Sequence, residues 1–188
     1  MATIISGNSP TTIGDDTTIN GDITADNITP GGQIVGYQQG VWTPSFIGPA
    51  TYSLQGGWFV RVGNLVTAQI IITLDGTNGI DTDGFLTMEG FPYMCSGSIP
   101  GVEGTTQQSI INFSYFKDVT NASGDPIFNF TGYVRTALAD ARFYHIGSTG
   151  TLLTSKNSSL TNDSAIRGQA SYITDDTTWT PINGATVS

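Results

Sequence analysis

Seven isoleucines, Ile4, Ile5, Ile13, Ile19, Ile23, Ile28 and Ile34, stand in a stretch that has no aromatic residue before Tyr37. Thr, Asp, Asn and Gly fill the gaps, and short units such as Thr12-Ile13-Gly14, Thr18-Ile19-Asn20-Gly21 and Asp22-Ile23-Thr24 recur about every five residues. This pattern constrains the fold strongly, because one chain cannot bury isolated isoleucines against itself. The β-branched residues favour extended backbone, and Gly and Asn supply turns. Identical copies winding together would place the isoleucines on a shared axis, as in repeat units too small to hold a core alone. Residues 1–40 are therefore expected to form an extended, intertwined trimerisation and docking arm with Ile13, Ile19, Ile23 and Ile28 in its core. A disordered tail is the plain alternative.

The vocabulary changes near residue 40. Aromatics appear, and short alternating or apolar runs are separated by Gly and Asn. Strands are expected at Trp58–Val62, Leu65–Leu74, Gly84–Met88, Ile110–Phe116, Ile127–Arg135, Ala141–His145 and Ala165–Ile173. Turn signals separate them, among them Gly63-Asn64 and Ser123-Gly124-Asp125-Pro126. Only Thr136–Ala141 offers a turn of helix. Short strands at this spacing imply an all-β protein in which residues 41–188 fold as an antiparallel β-sandwich, jelly-roll-like knob.

Composition excludes several functions. Six Lys and Arg stand against fifteen Asp and Glu, a net charge of −9. The cations Arg61, Lys117, Arg135, Arg142, Lys156 and Arg167 are scattered, whereas nucleic-acid binding needs them clustered to displace counterions. No apolar run approaches the roughly 18 residues of a spanning helix, so no membrane insertion is expected. Cys95 is the single cysteine, so no intrachain disulfide can form. The opening MATIISGNSP lacks the cationic and apolar regions of a signal peptide, which implies synthesis in a cytoplasm without secretion.

Chemistry finds little purchase. His145 lies in an alternating run, Arg142 to Ile146, with no nucleophile elbow in the chain. Cys95 has no indicated partner. Glu89, Glu103, Asp118, Asp125 and Asp140 are available for a two-carboxylate glycan hydrolase, but residues 41–188 are too few for a long β-helix with a broad groove. The stretch from Asp75 to Asp83 resembles a calcium loop but fails its register and lacks the twelfth-position Glu. No phosphate loop or zinc cluster occurs. No catalytic, cofactor or metal residue is assigned, and the chain is read as no enzyme.

A specific order of motifs opens the second segment. Gly40-Val-Trp-Thr-Pro44 is followed by Tyr52-Ser-Leu-Gln55-Gly-Gly57-Trp-Phe-Val-Arg61-Val-Gly-Asn-Leu-Val66, then Met88-Glu-Gly-Phe-Pro92 and Gly168-Gln-Ala-Ser-Tyr-Ile-Thr174. This order resembles a module of tailed-phage tail fibres and minor structural proteins, over most of residues 40–174. Trp-Thr-Pro recurs at Trp179–Pro181, outside it. The resemblance implies a homotrimeric β-sandwich knob on the virion exterior, either a short tail fibre for host attachment or a capsid-bound decoration or cement protein. Its partners would be two copies of itself, phage capsid or tail proteins, and host surface polysaccharide. Trp42 and Trp58 are expected in the knob core. Tyr93, Tyr115, Phe116 and Tyr144 are the candidate surface contacts. The competing reading is a free carbohydrate-binding β-sandwich, which would not need the isoleucine arm.

Overall fold

The computed structural model describes residues 36–48, 50–77, 83–97, 109–121, 123–125, 127–146 and 150–188. Contacts divide the chain into two units, 1–34 and 35–188, and the second is described here. Ile13, Ile19, Ile23 and Ile28 lie outside the described residues. Residue 40, where the composition changes, falls inside the first strand.

Eleven strands run in chain order: β1 Tyr37–Trp42, β2 Ser45–Phe46, β3 Thr51–Val62, β4 Leu65–Gly76, β5 Thr87–Glu89, β6 Ser109–Val119, β7 Phe130–Val134, β8 Asp140–Ile146, β9 Leu152–Thr154, β10 Leu160–Ile173 and β11 Thr186–Val187. All pair antiparallel in one sheet of order β11-β1-β3-β4-β10-β6-β7-β8-β5-β2, with β9 also paired to β8. The helical content among the described residues is one 3-10 turn, Asn157–Ser159. The turn of helix expected at Thr136–Ala141 is instead a tight turn closed by the Leu138 amide on the Arg135 carbonyl, with Ala137 at φ 56°. That left-handed residue stops a helix from propagating.

Alternation decides the strands. In β4, Val66, Ala68, Ile70, Ile72 and Leu74 point inward, and Leu65, Thr67, Gln69, Ile71 and Thr73 point outward. The β3–β4 hairpin closes on Gly63 at φ 58°, a conformation that glycine adopts without cost. The long sheet then curls into a sandwich-like enclosure, so that strands far apart in the ladder share one core. Phe46 of β2 meets Phe143 of β8 edge-on at 6.1 Å. Trp42, Phe91 and Tyr172 form a chain of rings at 4.7 and 5.8 Å. Phe113, Phe130 and Phe143 form another at 4.6 and 5.3 Å. Such offset and edge-on ring contacts add stability beyond the burial of area.

The motif residues serve this architecture. Trp42 Nε1 donates to the Gln69 carbonyl at 3.0 Å, and Gln55 Nε2 donates to the Pro44 carbonyl at 2.9 Å. The Phe46 amide donates to the Tyr52 hydroxyl at 2.7 Å. The second Trp-Thr-Pro closes the chain end over Arg61, which is 0% exposed. The Arg61 guanidinium lies 3.9 Å from the Trp179 ring and 4.6 Å from the Tyr93 ring. Its Nη1 donates to Asp176 Oδ2 at 2.6 Å, and its Nε donates to the Gly63 carbonyl at 2.9 Å. The C-terminal segment is thereby fastened to β3, and β11 adds its hydrogen bonds to β1.

Candidate functional site

Two expectations for individual aromatics are corrected by the sheet. Trp42 is 3% exposed, but Trp58 is 40% exposed. Phe59 takes the inward position on β3, so its neighbour Trp58 must face out. Conversely, Tyr93 is no surface contact. It is 1% exposed beneath Arg61, and its hydroxyl donates to Gln38 Oε1. Tyr115 is 47% exposed on β6. Phe116 is half-buried, packed near Phe130 at 5.8 Å. Tyr144 is half-buried and stacks on Tyr133 at 5.7 Å. The three remaining candidates therefore do not form one patch on one strand face.

The outward face of β1, β3, β4, β10 and β6 is the most unusual surface of the described chain. The register sets its side chains in rows. Tyr37, Val62, Leu65 and Ile173 make one row across the first four strands. Gln39, Val60, Thr67, Ser171 and Ile110 make the next. Val41 and Trp58 lead a third row that continues through Gln69, Gln169 and Asn112. Ile71, Arg167 and Tyr115 follow, with a bulge on β6 that inserts Ser114. In these rows Arg167 is the one charged side chain, although the whole chain carries −9. Its guanidinium is turned along the sheet, donating to the Ile72 and Ile166 carbonyls and to Thr73 Oγ1. Between β4, β10 and β6 the face hollows into a groove of about 560 Å³ lined by Gln69, Ile71, Asn112, Ser114, Arg167 and Gln169.

The remaining titratable residues are placed less suggestively. Of the carboxylates considered for catalysis, Glu89 and Asp140 stand opposite each other across β5 and β8. They share a polar hollow of about 440 Å³ with Thr43, Ser45 and Asn183. Both Asp140 oxygens are held by Arg135, through Nε at 2.5 Å and through Nη2. Asp118 pairs with Lys117 at 2.9 Å, and Asp125 accepts from Asn121 Nδ2 at 3.0 Å. Glu103 lies outside the described residues. His145 is buried, and burial lowers its pKa. Its Nδ1 lies 3.0 Å from Ser155 Oγ, but Ser155 is itself fully buried, so the pair is closed to any substrate. Cys95 is buried against the β7–β8 turn. Asp75 ends β4, Asp83 stands near Lys156 at 4.0 Å, and residues 78–82 between them lie outside the described residues. Among the described residues no group of three or more His, Cys, Asp or Glu could hold a metal ion, and no helix is long and apolar enough to cross a membrane.

Sequence reasoning missed the row of carboxamides. Gln69, Asn112 and Gln169 are far apart in the chain, and only strand pairing aligns them. The available signal was weak: each occupies an outward position in an alternating strand.

These features define an all-β protein built on one curled antiparallel sheet with a charge-poor outer face. Its fold is similar to that in the crystal structure of Dettilon tailspike protein (gp208), with a TM-score of 0.54 and 19% sequence identity. The match covers 73% of this chain and 24% of that one, so the chain spans about a quarter of the length of the tailspike. No protein-family model matches the sequence, and no curated protein is significantly similar to it.

Proposed function

We propose that this chain is a structural component of a tailed-phage virion, a non-catalytic trimeric knob displayed outside the particle on an N-terminal arm. The outer face carries the proposal. Tyr37, Val41, Trp58, Val62, Leu65, Ile110 and Tyr115 are all large, exposed and on one side of one sheet. Monomeric proteins rarely leave so extensive an apolar patch open to water. Depletion of charge with Tyr, Trp and a single Arg is the composition of an interface core. The row that runs from Tyr37 to Ile173 starts where the chain enters β1, so a trimer contact at this end would be continuous with a winding arm. Likeness of fold to a tailspike, together with the Gly-x-Trp-Thr-Pro order, supports the phage setting. Three copies would give avidity for repeated surface ligands, since the second and third contacts become intramolecular.

The test is the mass of the full-length protein by light scattering, followed by labelling of virions with an antibody raised against residues 35–188. A species of three times 19.8 kDa that labels tails or heads is expected. A clean monomer sinks the proposal and leaves the free carbohydrate-binding module as the reading to pursue.

A further inference from the structure

We infer that the groove across β4, β10 and β6 binds an uncharged oligosaccharide, a reading that deepens the proposed host attachment and rests on it. Gln69 is paired with Gln169, and Gln169 with Asn112, so three carboxamides stand side by side on adjacent strands. None of the three side chains hydrogen-bonds to another described residue, and all are exposed. Each amide offers two donors and an acceptor with two lone pairs. A sugar hydroxyl also both donates and accepts, so a row of free amides matches a run of hydroxyls without placing a charge. The Ser114 hydroxyl stands at the same groove.

Trp58 completes the arrangement. It stands on β3, in line with Gln69 by the β3–β4 register and 40% exposed. A flat indole covers the apolar C–H face of a pyranose, while the amides address its edge. Strands lie about 4.8 Å apart, so the row from Trp58 to Asn112 reaches about 14 Å, room for an extended oligosaccharide and more than a single sugar. The groove is lined by no carboxylate, and the Arg167 guanidinium is occupied by Ile72, Ile166 and Thr73. Nothing here selects an anionic ligand.

The probe is a panel of uncharged oligosaccharides of about three to six units, titrated by calorimetry into the full-length protein, with tryptophan emission followed in parallel. At least one member is expected to saturate and to shift the emission, and the shift should vanish in Trp58→Phe. Gln69→Ala combined with Gln169→Ala should weaken that member tenfold or more. Leu152→Ser, on the distant strand β9, should leave it unchanged. The thermal midpoint of each variant reports folding, and Asn112→Ala alone, which alters one exposed amide, provides a second and milder variant. No binding by any member, or binding that survives both amide variants, overturns the inference. The mass measured on the same sample separates the two readings. A trimer that binds nothing keeps the knob and loses the groove. A monomer that binds loses the knob and keeps the groove.

Discussion

Arg61 shows how much one buried charge can organise. Its guanidinium is removed from water, so its pairing with Asp176 and its two ring neighbours must replace hydration. Removing the carboxylate alone, by Asp176→Asn, leaves that cation uncompensated and should cost about 3–5 kcal/mol, read as a lower urea midpoint. Burial alone would raise the Asp176 pKa. Hydrogen bonds from Thr178 and Arg61 and from the backbone amides of Thr178 and Trp179 outweigh it, and the carboxyl is held below its ordinary value. A depressed folded pKa gives stability that is present above the unfolded value, about 3.9, and is lost as pH falls through the folded one. The gap between the parent and Asp176→Asn should therefore close as the pH is lowered from about 5 towards 2, a trend that denaturation at a series of pH values would show or refute. Gly57 makes a second residue-scale case. A Cβ there would sit 2.2 Å from Trp42 Nε1 and 2.7 Å from the Gln69 carbonyl, on the very hydrogen bond that anchors the indole. Gly57→Ala should destabilise by about 1–3 kcal/mol, as overpacking does, and shift the Trp42 emission. An unchanged thermal midpoint would show that the indole has another place to go.

Among the elements, the β3–β4 hairpin carries both faces of the problem. Its inward residues build the core, and its outward tip places Val62 opposite Leu65 in the apolar row. Both are exposed, so neither contributes much to the fold of one chain. Leu65→Asp should leave the circular dichroism spectrum and the monomer fold intact, yet lower the mass in solution from trimer towards monomer, because a desolvated charge opposes assembly. Retention of the full mass would move the contact to another face. Strand β6 shows the same division in a different form. Its bulge between Phe113 and Tyr115 turns Tyr115 outward beside Arg167 while Phe116 returns to the interior. Bulges re-aim side chains in this way at the cost of one unpaired residue.

For the whole molecule, Cys95 is a built-in reporter. It is 1% exposed, and burial, assisted by Asp175, pushes its thiol up to about 11. The reactive thiolate is scarce and unreachable in the folded chain. Labelling by a thiol reagent should therefore proceed only through opening, and its rate should rise in Asp176→Asn in proportion to the lost stability. Rapid labelling of the parent protein would show that the β7–β8 turn opens locally.

Much of the sheet was legible because alternation is a local signal. Val66 to Leu74 reads as a half-buried strand without any knowledge of its neighbours, and Gly63 marks its hairpin. The stretch from Trp58 to Val62 was only half legible. It offers apolar residues to both faces, so the pattern names a strand but not its inward side. Trp58 was therefore assigned to the core, and Arg61, the true inward residue, was read as part of a strand entry. Tyr93 failed for the opposite reason: an aromatic near Pro92 and Gly97 looks like a loop residue until Arg61 and Trp179 close over it.

The sequence by itself determined the all-β class, the positions of most strands and the absence of a disulfide, because propensity, alternation and residue counts are properties of short windows. It also singled out the isoleucine-spaced segment that a single chain cannot bury. Only the tertiary structure decided which face of each strand is wet, and that Gln69, Gln169 and Asn112 share a row. Those outcomes depend on register and curl between segments dozens of residues apart, and a one-residue slip in pairing would exchange the two faces.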